Sequence, residues 1–212
     1  MNPALSSYIE STANEDEALH NARQDAEEFG LTVPDIMTGQ LLTALTAMTR
    51  NSRSTGAVAV TPAASVVGLY ILKGLDSTGI LTCIDPEAEH QRQARQTFRD
   101  AGYSPSRYRF LPSRPLEVMG RLAEASYQLI YVDASPMDMC AMVTTAWPLL
   151  TEGGVLIMAD ALLDGTLADE SRKDRLTVSA READALINSL EGAVVSRLPL
   201  GAGMTLVTKT TP

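Results

Sequence analysis

The chain has 212 residues, 45% hydrophobic and 20% charged, enough for one well-packed domain and unlike a disordered sequence. A formal net charge of −9 argues against nucleic acid as the main partner, because phosphate backbones are repelled. Cys83 and Cys140 match neither a metal knuckle nor a disulfide framework, so free thiols in a reducing, cytoplasmic compartment are expected. The opening segment, MNPALSSYIESTANEDE, lacks the basic region and apolar run of a signal peptide. Apolar residues then recur at three- and four-residue spacing over Glu15 to Gly30 and Pro34 to Arg50, which predicts two helices. Gly30 suits a helix stop and Pro34 a first helical position. Residues 1–52 are therefore expected to form an N-terminal helical extension, and residues 53–212 the main domain.

Beyond the polar turn NSRST, short β-rich runs alternate with amphipathic stretches. The uncharged stretch from Gly56 to Leu72 is too short for a membrane span and is broken by Pro62, so a buried strand, a turn and a buried helix fit it better. The runs begin at Val58, Ile80, Arg107, Tyr127, Gly154, Ala193 and Met204. Helix-length segments separate the first five, which predicts a doubly wound, mainly parallel sheet. Only LGAG joins the last two, so they should pair as an antiparallel hairpin at the sheet edge.

A ligand of such a sheet lies at the carboxyl ends of the strands, beside the point where strand order reverses. Those ends carry TPAAS, IDPE, VDASPMD and ADALLDG. The G-x-G-x-x-G turn of a dinucleotide-dependent oxidoreductase is absent. His20 and His90 fall in polar helical stretches, where a solvated surface role is expected. Met137, Met139, Met158 and Trp147 lie close enough in sequence to these ends either to touch a substrate or to pack the core.

The succession of these segments, closed by RLPLGAGMTLVTK, resembles the catechol O-methyltransferase-like family of class I S-adenosylmethionine-dependent O-methyltransferases, notably its small bacterial members, from about Asp16 onward. The resemblance implies a Rossmann-like seven-stranded sheet, S-adenosylmethionine as cofactor, a small-molecule hydroxyl as acceptor and a homodimer. It places cofactor contacts at Ala59, Thr61, Pro62, Ala63, Ser65, Val67, Asp85, Pro115 and Asp133. Ala59 stands at the family's acidic position and Thr61, Ala63 and Ser65 at its glycine positions, where positive backbone angles would be costly. Asp85 would accept the two ribose hydroxyls, or else cap a helix beginning at Pro86. Asp133 and Asp160 would be the catalytic carboxylates and the ligands of a divalent cation such as Mg²⁺. The family's Asn ligand and Lys base fall on Ala161 and Pro136, which predicts weak or absent Mg²⁺ binding, and Asp138 is either a substitute ligand or a helix cap. Two readings follow: an O-methyltransferase with a weakened cofactor loop, or a catalytically impaired methyltransferase-like binding or dimer-scaffold protein.

Overall fold

A computed structural model describes residues 3–13, 15–50 and 53–211. Three helices come first: α1 (Pro3–Thr12), α2 (Glu17–Glu28) and α3 (Ile36–Met48). The carboxylates of Asp16 and Asp35 accept from the amides of Leu19 and Thr38, at 3.0 and 2.7 Å, and so start α2 and α3. Pro34 thus precedes the cap residue instead of opening the helix. Gly30, at φ +67, ends the turn after α2 as expected.

The rest alternates: β1 (Gly56–Val60), α4 (Ala64–Gly74), β2 (Ile80–Ile84), α5 (Ala88–Asp100), β3 (Tyr108–Leu111), α6 (Pro115–Val118), β4 (Tyr127–Val132), α7 (Met139–Ala146), β5 (Leu150–Met158), α8 (Arg175–Ser189), β6 (Ala193–Leu198) and β7 (Met204–Lys209). The seven strands form one sheet in the order β3-β2-β1-β4-β5-β7-β6. The first five are parallel, whereas β7 runs antiparallel to both β5 and β6. The expected hairpin is present, with β7 inserted beside β5 and β6 left at the edge.

Continuous apolar runs explain why β1 and β4 can sit at the centre of this sheet, since every residue of both is buried. One face packs against α2 to α5 through Leu42, Ile71, Leu81 and Phe98. The other packs against α7 and α8 through Met139, Val143, Leu156 and Ile187. The chain leaves β1 towards β2 and β3 on one side and returns through β4 to the other, so strand order reverses between β1 and β4. Their carboxyl ends are the geometric site for a ligand.

Candidate active site

Asp85 follows the last residue of β2, Asp133 that of β4, and Asp160 comes two residues after β5. The parallel register puts all three at the carboxyl end of the sheet, as the sequence predicts. Asp133 and Asp160 line one cavity of about 380 Å³. Its roof is the Thr32–Asp35 segment and Thr38 at the start of α3, and its far wall is Leu200 to Ala202 in the β6–β7 turn together with Met204. Asp85, Pro115 and the Thr61–Val67 loop do not line it. A larger void of about 640 Å³ between α2, α3, α4 and the end of α5 holds none of the candidate residues. Lys73 and Asp100, in its wall, stand near the ends of α4 and α5, where the chain returns to the amino ends of the strands.

The β1–α4 turn is held by its own side chain. Thr61 Oγ1 donates to Asp133 Oδ2 at 3.0 Å and accepts from the Ala63 amide at 3.1 Å. This ties the ends of β1 and β4 together across the switch point. The expected backbone strain is absent, because none of Thr61, Ala63 and Ser65 has a positive φ. Small side chains suit this turn through packing: Ala59 and Ala63 are fully buried, and Thr61 and Ser65 are 2% and 3% exposed. Val67 is buried within α4, and Pro62 and Pro115 are half-buried. Burial raises the carboxyl of Asp133 above its ordinary range, the Thr61 hydrogen bond lowers it, and the charge of Asp160 raises it again.

Asp85 has a partner that the sequence reading missed. His90 Nδ1 lies 2.7 Å from Asp85 Oδ2, and both side chains are largely buried. Of the two histidines, only His20 is solvent-exposed as expected. Spacing offered the signal, since a residue on the first turn after a strand end faces back over that end. Asp85 does not cap a helix: α5 begins at Ala88, with Glu87 as its cap. The Asp85 carbonyl accepts from Gln91 Nε2 at 2.7 Å, which fixes the strand end, and Oδ1 has no protein partner among the described residues.

Asp160 is held in a left-handed conformation, φ +51, followed by Leu163 and Asp164 at +46 and +54. Hydrogen bonds to the β6–β7 turn enforce this. The Ala202 amide donates to Asp160 Oδ1 at 2.7 Å, and the Leu162 and Asp164 amides donate to the carbonyls of Gly203 and Ala202. Gly201 is required beside it, because a Cβ there would come within 2.4 Å of Asp160 Oδ1.

These residues do not fit a divalent cation. Among the described residues no group of three or more His, Cys, Asp or Glu side chains is placed to hold a metal ion. Thr61 and Ala202 already take one oxygen each of Asp133 and Asp160, while Ala161 is buried in the α7–α8 core. Asp138 stands at the start of α7 without making a side-chain cap. Met139 and Met158 pack that same core, Trp147 is half-buried against it, and Met137 is exposed.

Comparison with known proteins agrees with this geometry. A family described as a methyltransferase domain matches residues 66–161. A Mycobacterium marinum protein named as an O-methyltransferase is 38% identical over 94% of this chain and 88% of its own length. One from Mycobacterium tuberculosis is 37% identical over 95% and 88%. A crystal structure of a Corynebacterium glutamicum protein is 63% identical, with a TM-score of 0.96, covering 99% of this chain and 97% of that one. The Streptomyces achromogenes O-methyltransferase TomG, solved with S-adenosylmethionine, shares the fold at 22% identity and a TM-score of 0.86, over 98% and 96% of the two chains.

Proposed function

We propose, on the premise that the chain belongs to the O-methyltransferase family of these mycobacterial relatives, that it moves the methyl group of S-adenosylmethionine onto a hydroxyl of a small molecule. The observation that carries this reading is the cavity at the switch point, into which Asp133 and Asp160 project from neighbouring strand ends. TomG and a Bacillus cereus O-methyltransferase, solved with S-adenosylmethionine and S-adenosylhomocysteine respectively, lend support from the same fold.

When bound, S-adenosylmethionine supplies an electrophilic methyl sulfonium. The chain supplies orientation and proton acceptance. Asp85 anchors the ribose through its unpaired Oδ1, with His90 fixing the carboxylate. Thr61 takes the place of a glycine-rich loop by fastening the β1 turn to Asp133. Asp133, raised by burial and by Asp160, is the group placed to accept the acceptor's proton, and Asp160 orients the acceptor from the neighbouring strand end. No metal enters this scheme, since the donor set does not fit one.

Residues 1–52 act as an extension that roofs the acceptor cavity of a 53–212 methyltransferase domain. The exposed Leu5 and Tyr8 of α1 are the first surface to test for a homodimer. No helix among the described residues is long and apolar enough to cross a membrane, and both cysteines are free, which suits a cytoplasmic setting.

Titration calorimetry with S-adenosylhomocysteine is the test. Binding is expected in the parent protein, and Asp85→Asn, which keeps the side chain's size, should weaken it by about tenfold or more, the worth of a charged hydrogen bond. Unchanged affinity in that variant rejects the ribose assignment. No binding by the parent at millimolar ligand rejects the cofactor reading and favours the scaffold.

A further inference from the structure

The acceptor cavity presents two hydroxyls that no protein group engages among the described residues. Tyr131 of β4 is 3% exposed and Thr38 of α3 is 4% exposed, and both line the cavity. Neither hydroxyl has a hydrogen-bond partner among the described residues. The neighbouring carboxylates are already engaged: Asp35 accepts from the Thr38 amide, Asp133 from Thr61 and Asp160 from the Ala202 amide. The buried hydroxyls of Tyr108 and Thr205 lack partners too, but neither residue lines this cavity. Unlike those two, the Tyr131 and Thr38 oxygens are open to the cavity, so they stand ready to exchange hydrogen bonds with the polar atoms of whatever fills it.

Charge and size narrow the ligand. Asp35, Asp133, Asp160 and Asp164 line the cavity, and none of the lining residues is Lys, Arg or His. The cofactor's sulfonium can compensate one of these carboxylates, and the others still repel an anion. About 380 Å³ is near the lower end for small-molecule sites and suits a single ring with a short arm. Val33, Pro34, Ala159, Leu200 and Met204 offer apolar wall for such a ring.

We propose that Tyr131 and Thr38 determine acceptor specificity by hydrogen-bonding the polar substituents of a single-ring phenol, and that the aspartates admit a cationic or uncharged arm and exclude a carboxylate or phosphate. This rests on the methyl-transfer reading. Burial, and then Asp133, Asp160 and Asp35, push the Tyr131 phenol far above its ordinary value, so it is present as a hydrogen-bond donor.

The probes are tyramine, 4-hydroxyphenylethanol and 4-hydroxyphenylacetate, which share ring and reach and differ in the charge of the arm. Calorimetric titration into protein with and without saturating S-adenosylhomocysteine should show the amine and the alcohol binding, with the acid about tenfold weaker or worse. Tyr131→Phe and Thr38→Val should each weaken the amine about five- to tenfold while leaving affinity for S-adenosylhomocysteine within twofold and the melting temperature no lower. An acid that binds as tightly as the amine, a Tyr131→Phe protein that binds the amine like the parent, or no binding of any probe to the saturated protein overturns the proposal. Amine preference in a protein that fails to bind S-adenosylhomocysteine supports the acceptor cavity and sinks the cofactor reading alone.

Discussion

At the residue scale, the two site carboxylates are engaged unequally. Asp133 sits where burial and Asp160 both oppose its charge, and Thr61 relieves only part of that. An acid whose folded-state pKa is raised has its full stabilising contribution below the unfolded pKa and loses it as pH rises through the folded one, so at neutral pH the ionised Asp133 is a cost. Asp133→Asn keeps an acceptor for the Thr61 hydroxyl and removes the charge. Its melting temperature should exceed the parent's at pH 7, with the gap closing towards pH 4, while methyl transfer falls by about two to four orders of magnitude. A variant less stable than the parent at pH 7 would show that the carboxylate is better solvated than its burial implies. The carboxylates at the strand ends were legible in the sequence because the end of a hydrophobic run is a local signal. Their partners were not. His90 reaches Asp85 across five residues, Thr61 reaches Asp133 across seventy-two, and Ala202 reaches Asp160 across forty-two. Tyr131 carries no such local signal, being one more aromatic in an apolar run, although it lies two residues before Asp133 and therefore on the same side of the sheet.

At the element scale, α3 and α4 cross at close range because each offers a glycine to the other. A Cβ on Gly39 would stand 2.1 Å from the Tyr70 ring, and one on Gly74 would stand 2.4 Å from the Thr43 carbonyl oxygen. The obstacle to Gly39→Ala is a side chain, but to Gly74→Ala it is backbone, which cannot turn aside. Helix propensity favours alanine by about 1 kcal/mol, and separating a pair blocked by backbone costs about 2–3 kcal/mol, the upper part of the overpacking range. Gly74→Ala should therefore lower stability by about 1–2 kcal/mol in urea titrations; a neutral or stabilising result would mean the crossing is loose. Gly39→Ala displaces Tyr70, whose hydroxyl lies 2.9 Å from Arg23 Nη2 and 3.2 Å from Glu15 Oε1, and should melt earlier too. The sequence announced the elements well through apolar runs and capping aspartates. It gave less warning of their limits: β5 starts at Leu150, four residues before the expected Gly154, because Gly153 at φ +75 lets the strand bend there. It also gave no sign that the N-terminal helices would bury Ala22, Ala26 and Leu42 against α4, since a helix face does not name its partner.

At the scale of the whole molecule, three tyrosines set an alkaline limit. Burial raises the phenols of Tyr70, Tyr103 and Tyr131 above their ordinary value, against the pull of Arg23 at Tyr70 and Arg107 at Tyr103 and reinforced at Tyr131 by Asp133, Asp160 and Asp35. Stability from a raised group is complete below the unfolded pKa of about 10 and is lost as pH climbs through the folded value, so melting temperature should hold to about pH 9.5 and then fall steeply. Tyr131→Phe should flatten that fall, and an unchanged slope in the variant would assign it to the other phenols. The cavity that Tyr131 faces has a further property. Its roof, Thr32 to Thr38, comes from the beginning of the chain, and its far wall, Leu200 to Met204, from near the end. The strands that supply Asp133 and Asp160 are made between them. A chain emerging from the ribosome can therefore pair β1 to β5 and close α3 over α4 while β7 is still in the exit tunnel, and at that moment it has a sheet, a core and no cavity. The fold is assembled progressively, but the place where chemistry would happen comes into being all at once, with the last strand.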